Sequence, residues 1–343
     1  MKRCPSTFAS TSTTTLAFCS NRFDRPWLVR VTTRMLMASL LVGMLMKGGA
    51  LAAEPSAQAL ELARALPLAD LHLHVYGIRT STPDKLLEAM QRNNVRWAGG
   101  VGHFQAEMQR RLEGRYIAAI GSQPWAKVFY RDGEAGLLDP AQPEFEELFR
   151  TAEQLFSAGK LKGFGEIHVK NKLKSNSRFE RSIALDSPVI NRMFELAGKY
   201  RGFVQIHTMG GKFGGYDEIA VMAARYPQTM TILSHCLPVS GPHEVEKLLI
   251  EHPNVMCEVS AQGLIHMPLG RMFNENGLKP VWAALIERHP DRFFVGTDPC
   301  CGLDPRYDEI VAELRTRFLP FLSPETMKKV AYMNAVKRFG LPD

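Results

Sequence analysis

The sequence predicts an α/β fold: a (β/α)8 TIM barrel of parallel strands with an extra helix at the C-terminus. Three observations predict it. From residue 66 onward, short apolar runs alternate with longer amphipathic runs, the pattern of parallel strands joined by crossover helices. There are eight such strand–helix pairs, the number that closes a barrel. The chain has 343 residues, enough for a barrel built as one domain.

Taken in order, strands are expected over 69–75, 94–98, 115–120, 162–169, 203–208, 230–235, 254–259 and 292–297. Helices are expected over 83–93, 104–113, 143–158, 187–200, 217–226, 242–252, 279–289 and 306–318, with the extra helix over 324–338. Thr82-Pro83, Ser187-Pro188 and Ser323-Pro324 mark three helix starts. In each, a hydroxyl can cap free N–H groups and proline presets the first turn. Phe145, Leu148, Ala152, Leu155 and Phe156 recur at helical spacing. Residues 121–142 and 170–186 read as long connections, expected as loops on the catalytic face of the barrel.

The N-terminal 52 residues read differently. Arg30 and Arg34 precede an apolar run over 35–46, and small residues ending in Ala50-Leu51-Ala52 follow. A basic flank, a short apolar stretch and an Ala-x-Ala site describe a secretory signal. The expected organisation is therefore a leader and signal peptide over 1–52 and a barrel domain over 53–343. The product would be exported, periplasmic or secreted, with no stable membrane span after cleavage; an uncleaved anchor is the alternative. Of the net charge of +7, this leader carries +6, seven basic residues against the single acid Asp24. Outside it, 35 basic residues face 34 acidic ones, so nothing in the charge calls for nucleic acid. Cys236, Cys257, Cys300 and Cys301 follow the leader without zinc-finger spacing. In an exported protein Cys236 and Cys257 are candidates for pairing, which spacing alone does not decide. Cys300 and Cys301 read as loop residues.

On a strand, residues i and i+2 share a face. In Asp70-Leu71-His72-Leu73-His74 the two imidazoles therefore project together. They can chelate a divalent ion or sit as satisfied core residues. Polar residues at the ends of other strands decide between these. Side chains there converge on one site in a barrel, and the ends supply His72, His74, Glu166, His168, His207, His235 and Asp298. Burying so many ionisable groups is costly without an ion to compensate.

These residues, with the tail Asn334-Ala335-Val336-Lys337-Arg338-Phe339-Gly340-Leu341, resemble the amidohydrolase superfamily in its amidohydrolase-2 branch, over roughly residues 66–341. The resemblance implies that His72, His74, His207 and Asp298 ligate zinc or another divalent metal. It implies that His235 is a ligand or a polarising group. Glu166 would either bridge two ions or support a single one from behind. The implied chemistry is hydrolysis of a C–N or C–O bond by an acidified water. Asp298 would move the proton and His235 would stabilise the oxyanion. A decarboxylase of the same branch is the alternative, and a non-catalytic metal- or ligand-binding barrel is the alternative of another class. Arg79, Lys170, Arg178 and Lys212 would rim the mouth and favour a small acidic substrate, unless they merely solvate loops. Trp125 and Phe213 would wall the pocket or pack beneath loops.

Overall fold

The structure is a computed structural model, and it describes residues 54–74, 82–171 and 180–342. The leader, Arg79 and Arg178 lie outside the described residues. Eight parallel strands form the frame: β1 (Leu68–Leu73), β2 (Val95–Gly100), β3 (Tyr116–Ile117 continuing as Ala119–Gly121), β4 (Gly163–Asn171), β5 (Phe203–Thr208), β6 (Met230–Leu233), β7 (Val255–Val259) and β8 (Phe293–Val295). Strand β3 is the hinge of the sheet: Tyr116 pairs with Ala98 on β2, and Ala119 pairs with Gly163 on β4. The ladder then runs β4-β5-β6-β7-β8. Past the end of β8 the chain bonds back to β1, where Asp298 N–H donates to the His72 carbonyl at 2.8 Å. Thr297 N–H donates to Asp70 Oδ1 at 2.9 Å. These bonds bring the eighth strand beside the first, as the expected (β/α)8 TIM barrel requires.

Ala69, Trp97, Ile117, Phe203, Ile232, Met256 and Phe294 come from seven different strands and share one buried cluster with Phe339 and Leu341. Residues from all round a barrel meet only near its axis, so the C-terminal tail plugs one end. Trp97 Nε1 donates to the Pro342 carbonyl at 2.7 Å, and Lys162 Nζ to the Phe339 carbonyl at 2.8 Å, fixing the plug. A second, larger apolar layer lies between the strands and the helices.

The helices are α1 (Ala57–Ala65), α2 (Pro83–Arg92), α3 (Ala106–Leu112), α4 (Ser122–Leu137), α5 (Pro143–Ser157), α6 (Pro188–Lys199), α7 (Tyr216–Arg225), α8 (Pro242–Glu251), α9 (Pro280–Arg288), α10 (Tyr307–Glu313), α11 (Pro324–Lys328) and α12 (Asn334–Phe339). Thr82 and Ser323 cap their helices through their side chains as expected; Ser187 does not. A π turn over Leu314–Phe318 extends α10, and another over Lys329–Met333 joins α11 to α12.

Three expectations need correction. Residues 121–142 are not a long loop, because α4 occupies most of them. Gly133, at φ 67°, breaks its regularity, and Gly136 takes a buried position that a larger apolar residue would have marked. Helix α1 precedes the first strand unannounced, since Ala63 is its one fully buried residue and the amphipathic signal is weak. Strand β4 runs on to Asn171 and pairs antiparallel with Arg181–Ser182, so both ends of the expected 170–186 loop form a ribbon. Residues 172–179 lie outside the described residues. No helix among the described residues is long and apolar enough to cross a membrane.

Candidate metal centre

The strand ends place seven ionisable side chains around one point. Three groups each bring three donor atoms within 4.8 Å of one another: His72, His74 and Glu166; His72, His235 and Asp298; and Glu166, His168 and His207. Asp298 Oδ1 stands 3.6 Å from His72 Nε2 and 3.3 Å from His74 Nε2. The six residues expected as ligands are therefore assembled, and His168, a strand-end residue outside that ligand set, stands with them. Its ring stacks on His207 with centroids 4.3 Å apart.

The imidazoles of His72, His207 and His235 are each held through Nδ1. His72 Nδ1 bonds Glu258 Oε2 at 2.8 Å, with the Gln205 amide at 3.1 Å. His207 Nδ1 bonds Glu166 Oε1 at 2.7 Å, and the other oxygen of Glu166 takes His168 Nε2 at 3.0 Å. His235 Nδ1 bonds Ser260 Oγ at 2.8 Å, and Ser260 donates in turn to Glu258 at 2.9 Å. A carboxylate on one ring nitrogen fixes the tautomer and raises the basicity of the other. Gly296 lets Glu258 in: a Cβ there would stand 2.2 Å from Glu258 Oε1.

The free atoms of these residues are the test of fit. His72 Nε2, His74 Nε2, His207 Nε2 and Asp298 Oδ1 are all buried without a hydrogen-bond partner. An unsatisfied buried polar atom costs roughly 1–3 kcal/mol, and three imidazole nitrogens plus one carboxylate oxygen form a donor set that suits a divalent ion such as zinc.

Two backbones are bent to aim the side chains. His235, Cys236 and Leu237 lie in succession at φ 55°, 50° and 56°, a conformation costing non-glycine residues roughly 1–2 kcal/mol each. The turn is clamped. Gln262 Nε2 and Arg271 Nη1 donate to the His235 carbonyl at 2.8 and 3.3 Å, and Arg271 Nη2 reaches the Cys236 and Ser240 carbonyls. A disulfide ties Cys236 to Cys257. Asp298 is likewise left-handed, at φ 49°. Its N–H is bonded to His72, and its carbonyl accepts His266 Nε2 at 2.9 Å.

The electrostatics follow from burial and neighbours. Burial pushes the Asp298 carboxyl up, but the charges of His72, His74 and His235 hold it well below the usual range. Glu166 is likewise held down against burial by His168, His72 and His207. Burial pushes His72 down, yet Glu166, Asp298 and Glu258 together raise it well above an ordinary imidazole. His235 is raised against burial by Glu166. His207 is driven the other way, down to about 4, by burial and then by His168.

The sequence profile of the family described as amidohydrolase matches residues 69–341. The chain belongs to the amidohydrolase family. None of the curated proteins matches it. Among solved structures it is similar to YjjV, a TatD homologue from Escherichia coli K12, at 16% identity over 82% of this chain and 100% of that one, with a TM-score of 0.50. It is also similar to an amidohydrolase from Burkholderia multivorans solved with zinc bound (15% identity, 77% and 90% of the two chains, TM-score 0.45). A 2,6-dihydroxybenzoate decarboxylase from Rhizobium is a further neighbour (12% identity, 76% and 88%, TM-score 0.45).

The expected rim is less complete in this amidohydrolase than its centre. Lys170 Nζ pairs with Glu218, so its charge is committed. Lys212 is exposed and lies over the Phe213 ring. Trp125 does not wall a pocket: it is buried and donates to the His168 carbonyl at 2.8 Å. Sequence reasoning missed Glu258, Ser260, Gln205, Gln262, His266 and Arg271. Glu258 carried a signal, a lone acid inside the apolar run Val255–Val259. Gln205 carried a similar one inside Phe203–Thr208, and the rest, lying in loops beyond the strands, carried none.

Proposed function

We propose that this amidohydrolase is a metal-dependent hydrolase of a C–N or C–O bond in a small molecule. The observation that carries the reading is that four buried donors, His72 Nε2, His74 Nε2, His207 Nε2 and Asp298 Oδ1, are left without partners in strand-end clusters whose donor atoms lie within 4.8 Å of one another. These four would hold one zinc or similar divalent ion. Glu166 would stand behind His207, because both its oxygens are taken by imidazoles. The chemistry such an ion supplies is polarisation of a carbonyl and acidification of a water.

The chain's own residues complete the reaction. Asp298 presents a second oxygen, Oδ2, which faces His235 Nε2 at 3.8 Å. That oxygen accepts the proton of the attacking water and returns it to the leaving group. Glu166 favours the imidazolium form of His235, which donates Nδ1–H to Ser260 and offers Nε2–H to the oxygen that gains negative charge. The pairing of Lys170 with Glu218 removes one of the anchors on which a carboxylate-binding, decarboxylating site would draw. We further propose that the protein is exported; the Cys236–Cys257 disulfide supports an oxidising compartment.

The test is metal analysis of the purified full chain, followed by turnover assays on lactones, esters, amides and carboxylic acids. One ion per chain and water-dependent cleavage are expected. Two ions per chain would make Glu166 a bridge, and release of carbon dioxide would replace hydrolysis with decarboxylation.

A further inference from the structure

We propose that Cys300 and Cys301 form a chelating site for a trivalent arsenical, an arsenoxide of the R–As=O class, on the loop that leaves the metal centre. Their Sγ atoms lie 2.8 Å apart. Both are free thiols, Cys301 exposed and Cys300 half-buried. Their state contrasts with Cys236 and Cys257, which are buried and joined. The pair is preorganised. Leu303 N–H closes a turn on the Cys300 carbonyl at 3.0 Å, and Arg306 N–H bonds the Leu303 carbonyl at 2.8 Å. Cys301 and Gly302, at φ 60° and 96°, fold the chain back. The approach is open beside them: a Cβ on Gly302 would meet nothing within 4 Å.

The reaction needs no oxidant. Two S–H bonds break, two As–S bonds form, and the arsenoxide oxygen leaves as water with both protons; neither arsenic nor sulfur changes oxidation state. An aryl group on the arsenic has somewhere to go. The neighbouring Pro299 lines a cleft of about 330 Å³ with Leu86, Pro305, Tyr307 and His74. A ligand there would crowd the approach to His74. This site stands apart from the reaction assigned above.

Phenylarsine oxide is the probe, applied to the full chain as purified, in excess monothiol, and followed by alkylation and tryptic digestion. Residues 293–306 are released as one peptide that contains both cysteines, so Cys4 and Cys19 do not interfere. The arsenical is expected to protect both thiols of that peptide, and a dithiol competitor to restore alkylation. In Cys300→Ser and in Cys301→Ser the remaining thiol should need about 100-fold more arsenical for protection, because a chelate gains its affinity from the second, intramolecular bond. Equal alkylation with and without arsenical overturns the site. So does protection undiminished in either single variant. An intact Cys236–Cys257 disulfide in each variant, read from the same digest, shows that the fold is kept.

Discussion

His72 and His74 sit two residues apart on one strand, yet the barrel treats them differently. His72 is fully buried and backed by Glu258, while the side chain of His74 keeps 20% of its exposure. The carboxylate behind His72 sets its orientation, so Glu258→Gln is expected to weaken metal affinity by about 10–100-fold, measured by competition with a chelator. Unchanged affinity would show that Glu258 merely fills space. Asp298→Asn leaves a neutral amide oxygen as a weaker ligand and replaces the proton-accepting oxygen by an NH2 group, and turnover should fall by at least about 100-fold. The pH dependence follows from His72. Its raised value means that the metal-free site carries a proton at neutral pH, which ligation must displace. Metal uptake should therefore release a proton, and affinity should climb with pH until the raised value is passed. His207, held down to about 4, is already neutral and contributes no such release. Calorimetry in buffers of different ionisation heat reads the number; zero release at pH 7 would contradict the His72 assignment.

At the scale of elements, the segment after β6 does the aiming. Three left-handed residues cannot hold themselves, and the clamp from Gln262 and Arg271 and the disulfide to β7 supply the restraint. Cys236 and Cys257 are 21 residues apart, a loop whose closure is worth roughly 3 kcal/mol. Reduction should lower Tm by several degrees, at about 2–4 °C per kcal/mol for domains a little smaller than this one. Arg271→Met should leave metal content intact, since the guanidinium touches carbonyls and not the four donors. Its cost should fall on turnover through the orientation of His235. Loss of the metal in that variant would mean that the whole centre leans on Arg271.

For the molecule as a whole, the C-terminal tail is part of the barrel. Phe339 packs against Phe203 and Phe294, with ring centroids 5.4 and 5.7 Å away. Phe339→Ala should destabilise the protein by about 3–5 kcal/mol, seen as a lower denaturation midpoint with the metal site still formed in the folded fraction.

Much of this was readable along the chain. A strand or helix depends on neighbours two to four positions away, so all eight strands and most helices showed as apolar periods. The histidines at the strand ends were legible for the same reason: they interrupt those periods with residues that are costly to bury. Where the period was diluted, by Gly133 and Gly136 in α4 or by alanines in α1, the elements went unseen. The chemistry of the centre is a different matter. Glu258 reaches His72 from 186 residues away, and whether Glu166 faces an ion or an imidazole depends on the register of β4 against β5. Local pattern was sufficient for the barrel and its list of donors. Which nitrogen each histidine leaves free, and which carboxylate stands behind it, came from contacts across the barrel, because hydrogen bonds between distant strands leave no periodic trace in a sequence.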